Sequence, residues 1–147
     1  MYAPHTITLY NAYGEDGTTQ YNITALRGVL CEEQYGTNAN KLGQSDTDSV
    51  RLFIPFSVLA VDGNSGNEKQ YLPPKQFYDA ADKSAYWTID TGGESCAVGT
   101  FFIKGEVVEA LNYSALRDKY DGVYDVTSVF VRDFGTADMR HFQVGGR

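Results

Sequence analysis

Short stretches of alternating apolar and polar residues, set apart by polar, glycine-containing segments, run the length of the chain. Alternation of this kind is the pattern of a half-buried strand. Residues 6–10 (TITLY) give the first strand, and the turn-rich NAYGEDGTT follows it. Residues 20–33 (QYNITALRGVLCEE) read as a longer strand, bent or bulged near Gly28. A polar stretch around 34–48 shows no apolar period and reads as a long loop, which in a compact domain is functional or disordered. Residues 49–59 (SVRLFIPFSVL) carry the clearest alternation, with Val50, Leu52, Ile54 and Phe56 on one face. Pro55 cannot donate to a ladder, so this strand is expected at a sheet edge or at a bend.

VDGNSGNEKQ reads as a hairpin tip. LPPKQFYDAADK follows as a short helix with proline near its first turn. Residues 86–90 (YWTID) and 101–104 (FFIK) are short strands on either side of the loop TGGESCAVGT. SALRDKYDG offers one or two helical turns. Residues 124–134 (YDVTSVFVRDF) make a strand apolar on both faces, with Val126 and Phe130 set against Thr127, Val129 and Val131. The chain turns at 135–138 and returns through MRHFQV, with Met139, His141 and Gln143 on one face and Arg140, Phe142 and Val144 on the other. This predicts a C-terminal hairpin over 124–147 that ends in a short glycine tail. The sum is one mainly β domain over 1–147, a small barrel or sandwich with one or two short helices and long polar loops.

Composition narrows the function classes. Apolar residues make up 42% and charged residues 21% of the 147 positions, which excludes a disordered chain. Eleven tyrosines favour strands, and they are also common at interfaces. The net charge of −7 argues against tight nucleic-acid binding, and both halves of the chain are acidic, so no basic patch is hidden by averaging. Cys31 and Cys96 lack any CxxC or Cys–His spacing for zinc and read as two thiols of a reducing compartment. The N-terminus has no signal-peptide pattern, and no run is long and apolar enough to span a membrane.

No motif commits the chain to chemistry. His5 and His141 lack metal-ligand neighbours, although either could be a base placed by the fold. The acidic pairs Glu32–Glu33, Asp46/Asp48, Asp79/Asp82 and Asp118/Asp121 read as solvated faces or turn caps. DGNSGNE is rich in oxygen ligands, but Pro73 stands where a calcium loop needs its glutamate. TGGES does not lead into a helix and is a poor phosphate cradle. Asn22 and Asn112 begin glycosylation sequons that would matter only in a secreted eukaryotic protein. Phe77, Trp87 and Phe102 read as core, with a sugar- or peptide-binding platform as the alternative. No catalytic residue, cofactor or metal ligand is assigned.

Several stretches together carry a resemblance: ITLYNAY, VRLFIPF, YWTID followed by FFIKGEV, and the closing VTSVFVRDFGTADMRHFQVGGR. In this order they resemble small structural proteins of tailed phages and prophages of Firmicutes, whose genes lie between the capsid and tail genes. The resemblance covers most of the chain and its motifs are not catalytic. It implies a non-enzymatic virion protein made in the bacterial cytoplasm: a head–tail connector, stopper or tail-terminator subunit that forms a ring. The implied partners are other copies of the chain and neighbouring portal, connector or tail proteins, with no membrane. The polar segment around 34–48 would be an assembly loop, and the closing hairpin a docking arm. One departure stands out: GESCAVGTFFIKG occupies the place where a GD turn is expected.

On this reading Phe134, Met139 and Phe142 belong to the core or to a subunit contact, and deleting 133–147 is expected to abolish assembly. The free protein is expected to be a monomer or weak oligomer that assembles only on a partner ring, with an exposed apolar edge or arm and poorly ordered long loops. Two other readings stay open. A carbohydrate- or peptide-binding module requires Tyr and Trp side chains lining a groove. An enzyme requires His141 within reach of a carboxylate in a cleft.

Overall fold

The computed structural model describes residues 2–14, 19–35, 37–40, 43–46, 49–91 and 100–147, and of 37–40 and 43–46 only the backbone. The chain runs β1 (His5–Tyr13), β2 (Gln20–Gln34), β3 (Thr37–Asn40), β4 (Gly43–Asp46), β5 (Ser49–Pro55), β6 (Leu59–Asp62) and β7 (Gln70–Tyr71). It continues through α1 (Pro74–Asp79), β8 (Tyr86–Trp87), β9 (Thr100–Lys104), α2 (Tyr113–Lys119), β10 (Val123–Arg132) and β11 (His141–Gly146). Strands β1, β9, β10, β11, β5 and β2 pair in that order, all antiparallel, and β2 pairs back onto β1. The result is a closed six-stranded barrel, the fold class expected from the alternation.

Closure depends on the length of β2 and on its kink. Its first part pairs with β1 on one side and β6 on the other, and its last five residues pair with β5. The β1 register slips between His5↔Val29 and Thr6↔Arg27, leaving Gly28 as the extra residue of a bulge. Gly28 has φ +94°, a conformation that side chains disfavour. The bulge turns one strand into two sides of the barrel.

Inward positions follow the pleat: Ile7 and Leu9, Val29 and Cys31, Val50, Leu52 and Ile54, Phe102, Tyr124 and Val126, and Phe142 and Val144 share one buried cluster. Residues 70–90 cross one end of the barrel and push Trp87 and Ile89 into that cluster. Only Tyr86–Trp87 of YWTID is a strand, paired parallel with Gln70–Tyr71. A second cluster lies outside the barrel, where α2 and the segment before it cover Tyr10, Ile23, Phe101, Ile103 and Val123. Tyr10 and Phe101 stack there at 4.8 Å. Strand β9 is therefore buried on both faces up to Ile103, which is why Phe101, Phe102 and Ile103 are apolar in a row instead of alternating.

Four expectations change. Strand β5 is internal, between β11 and β2, so of the two expectations for Pro55 the edge fails and the bend holds: the strand ends there, and Val58 N donates to the Pro55 carbonyl oxygen at 3.0 Å in the turn that follows. Pro55 is tolerated because it ends the strand beyond the last β2 pair, Leu30↔Phe53. In β10 the register slips between Val126 and Ser128, so inward parity switches: Val126 and Val129 both pack on the core, and Phe130 faces out. The closing glycines are not a tail but barrel strand, with Gly145 and Gly146 paired to both β10 and β5. Within the stretch read as a long loop around 34–48, β2 extends to Gln34, and β3 and β4 pair as a hairpin. Most of TGGESCAVGT, including Cys96, lies outside the described residues.

Candidate functional site

The end of the barrel opposite residues 70–90 is closed by polar side chains. Glu33, Lys104 and Tyr124 lie two residues from Cys31, Phe102 and Val126, so they share those residues' inward face at the strand ends. The hydroxyls of Tyr124 and Tyr35 each donate to Glu33 Oε2 at 2.5 Å, and Lys104 Nζ donates to Oε1 at 2.9 Å. Burial raises the Glu33 carboxyl, but the bonds from Tyr124, Tyr35 and Lys104 outweigh it and hold the group down at about 2. Burial first, then the bond to Glu33, pushes the Tyr124 hydroxyl far above its ordinary value. A carboxylate held this firmly ionised is a poor proton shuttle at neutral pH. Its chemistry is that of a clamp tying β2, β9 and β10 together. Glu32, its sequence neighbour, points the other way into solvent.

Beside this clamp lies a surface cleft of about 440 Å³ whose walls include Tyr35, Arg117, Tyr120, Asp121, Tyr124 and Arg147. Asn112 starts α2 by accepting a bond from Ala115 N at 2.8 Å, which sets Arg117 in the last helical turn. Arg117 Nη1 reaches the Tyr113 hydroxyl at 3.0 Å, and its guanidinium lies 5.7 Å from the Tyr113 ring centre. The four ion pairs among the described residues engage Arg27, Lys69, Lys104 and Lys119, and neither arginine of the cleft. The cleft thus joins aromatic surface to two guanidinium groups without a carboxylate partner.

At the other end, β10 and β11 meet in a tip over 133–140. Phe134 is 66% and Met139 60% exposed there, and Phe130 and Val131 just below are more than half exposed. Phe142 instead is 5% exposed and packs its ring on Phe56, Tyr71 and Trp87. The three residues singled out in the sequence therefore divide, with one in the core and two on display.

The remaining sequence candidates are engaged elsewhere. His5 Nδ1 accepts a bond from Cys31 N at 3.0 Å. His141 lies against Phe53, with Nδ1 2.8 Å from the Met139 carbonyl oxygen and no carboxylate among its contacts. In the DGNSGNE turn, Asp62 Oδ2 accepts from Asn64 N, Ser65 N and Ser65 Oγ, while Oδ1 pairs with Lys69 Nζ at 3.0 Å. Both Asp62 oxygens are thus engaged by the chain's own donors, and the ammonium ties the turn to β2 through Asn22, Ile23 and Thr24. Asp82 caps the single helical turn at 83–85 by accepting from Ser84 N, and Asp79, Asp118 and Asp121 are exposed. Asp46 and Asp48 lie outside the residues whose side chains are described. Asn22 is buried between Tyr86 and Lys69, and Asn112 serves as a helix cap, so both sequon residues have structural roles. Phe77, Trp87 and Phe102 are all buried. Among the described residues no group of three or more His, Cys, Asp or Glu could hold a metal ion.

The clamp and the cleft escaped the sequence reading because their residues come from β2, β9, α2 and β10 and meet only on closure. One signal was present: if Cys31 faces the core, so does Glu33, and an inward carboxylate requires partners. No curated protein and no solved structure matches the chain. A family model matches residues 2–147, and on that match the chain belongs to the family of unknown function DUF6751.

Proposed function

We propose that this chain is a non-enzymatic structural subunit that assembles through protein–protein contacts, as a head–tail connector, stopper or tail-terminator ring of a tailed phage or prophage. The sequence resemblance supports this reading, and the observation that carries it is the apolar hairpin tip. Phe134 and Met139 present side chains to solvent at the far end of a barrel whose own core is already filled. Exposed apolar side chains gathered on a projecting element mark a contact surface. The acidic balance agrees with a ring through which DNA slides without sticking. Such a subunit is made in the bacterial cytoplasm and ends in the virion.

The sugar- or peptide-binding reading placed its platform on the clusters FYDAADKSAYW and TFFIKG, of which Phe77, Trp87 and Phe102 are buried; the groove that does carry tyrosines is the cleft of Tyr35, Tyr120 and Tyr124. The enzyme reading asked for His141 beside a carboxylate, and its ring meets a carbonyl oxygen instead.

The test is the mass of the purified chain across a concentration series, by light scattering on a size-exclusion column. A closed ring of many subunits supports the proposal; a monomer at every concentration rules out self-assembly, leaves only assembly on a partner ring, and shifts weight to the binding module. Deleting 133–147 is not the informative variant, because it removes β11 from between β10 and β5 and opens the barrel. Replacing Phe134 and Met139, both largely exposed and outside the barrel strands, by serine is expected to leave the barrel intact.

A further inference from the structure

We propose that the hairpin tip of one copy seats in the arginine-lined cleft of the next copy, a head-to-tail contact between identical chains. This deepens the ring-subunit reading and rests on it.

Three observations lead here. The first is position. Strand β10 runs from Val123, in the wall of the cleft, to Arg132, at the base of the tip. Ten residues of strand span about 30 Å. A chain cannot reach its own cleft with its own tip, so the contact joins two different surfaces. Contacts of this kind close into rings or run on as filaments, whereas a two-fold dimer uses one surface twice.

The second is complementarity. The tip carries two apolar side chains, Phe134 and Met139, with carboxylates at Asp133 and Asp138. The cleft carries the Tyr35 and Tyr120 rings with guanidinium groups at Arg117 and Arg147. Among the described residues its one side-chain carboxylate, Asp121, has counterparts in Arg132 and Arg140 at the base of the tip. Aromatic and arginine side chains are the residue types that dominate contact energies, and methionine adapts its shape to an aromatic wall.

The third is what each side lacks. Among the described residues Arg117 and Arg147 take no part in an ion pair, in a chain where acidic groups outnumber basic ones nineteen to twelve. Phe134 and Met139 leave well over half of their surface uncovered. One contact supplies both.

The experiment uses two full-length variants. Phe134→Ser/Met139→Ser spoils the tip and keeps the cleft; Arg117→Glu/Arg147→Glu spoils the cleft and keeps the tip. Each is compared with wild type by light scattering and far-UV circular dichroism. Where a double variant has lost the wild-type spectrum, the single change Phe134→Ser or Arg147→Glu replaces it. Wild type is expected to assemble, and each variant alone to stay monomeric at concentrations about 10-fold higher. Mixed, they are expected to form one-to-one pairs of twice the 16.3 kDa chain mass and nothing larger, since one good tip meets one good cleft. If wild type assembles and either variant assembles equally well, or the mixture stays monomeric, this contact is wrong while the ring reading stands. If wild type is monomeric at its highest soluble concentration, the contact and self-assembly fall together.

Discussion

Lys69 Nζ lies 3.0 Å from Asp62 Oδ1, with its side chain wholly removed from solvent. The same ammonium reaches Asn22 Oδ1 at 2.9 Å, Thr24 Oγ1 at 3.0 Å and the Ile23 carbonyl oxygen at 3.1 Å. Four oxygens around one buried cation make it the tie between the 62–66 turn and β2. Burial pulls the amine below its ordinary value, and Asp62 opposes the drop. Lys69→Met would leave a largely buried carboxylate and a buried amide oxygen without their donor. Removing one partner of such a pair costs about 3–5 kcal/mol. The urea midpoint is expected to fall accordingly with an unchanged slope, and a midpoint equal to wild type would show that the tie contributes nothing.

Glu33 sets an acid limit. Its carboxyl is held at about 2 in the folded chain, against 4.5 for an ordinary glutamate. Folding therefore favours the ionised form, and the stability this contributes is complete above pH 4.5. It is lost as the pH falls from there toward 2, where the folded group also takes up its proton. Asp62 and Glu109 are also held low, so the difference between wild type and Glu33→Gln is the informative quantity. Glu33→Gln is expected to be the less stable at pH 7, and the gap to shrink as the pH drops through that window. Thermal unfolding of both chains from pH 7 to pH 2 measures it. A gap independent of pH would rule out the ionised clamp.

The strands were legible because alternation is local: Val50, Leu52 and Ile54 point inward wherever the strand finds its partners. Gly28 was legible for the same reason, since a glycine within a strand pattern signals a bulge. The second bulge, in β10, was not. No glycine marks it, and one extra residue moves Val129 inward and Phe130 outward. Pro55 signalled an edge or a bend, and the bend is what forms; the edge is not needed, because a strand that outlasts its neighbour provides the same unpaired side in mid-sheet. Phe134, Met139 and Phe142 look alike in sequence, and only the strand partners separate core from display. The cleft is a property of closure: Tyr35, Arg117 and Arg147 have no sequence relationship that brings them together.

Strand β11 carries glycines where the barrel leaves no room. A Cβ on Gly146 would lie 2.6 Å from Val50 Cγ1, 3.2 Å from the Asp125 carbonyl oxygen and 3.3 Å from Tyr124 Cβ. The Asp125 oxygen cannot retreat freely, because it accepts the Arg147 N–H at 3.0 Å. Gly146→Ala is therefore expected to lose about 1–3 kcal/mol, the usual cost of overpacking. The cost would appear as a lower Tm, and unchanged stability would mean that β11 can move away from β5.

Asn11 and Thr88 hold residues 70–90 across the barrel end. Asn11 Nδ2 donates to the Thr88 carbonyl oxygen at 2.8 Å and to Thr100 Oγ1 at 3.2 Å, and Thr88 N donates to Asn11 Oδ1 at 3.3 Å. The amide thus satisfies both backbone groups of Thr88, but the Thr88 hydroxyl is buried and has no partner among the described residues. A buried hydroxyl that makes no bond costs stability, and an apolar group of the same shape removes the cost. Thr88→Val is therefore expected to raise stability by about 1 kcal/mol, a reversal of what losing a polar group usually does. Asn11→Ala takes away the partners of both backbone groups and is expected to cost about 1–3 kcal/mol for each group stranded. It should also shift the emission of Trp87, the chain's one tryptophan, to the red as water enters beside it. Urea titrations followed at that fluorophore read both variants. A Thr88→Val chain less stable than wild type would place a bonding partner at the hydroxyl after all.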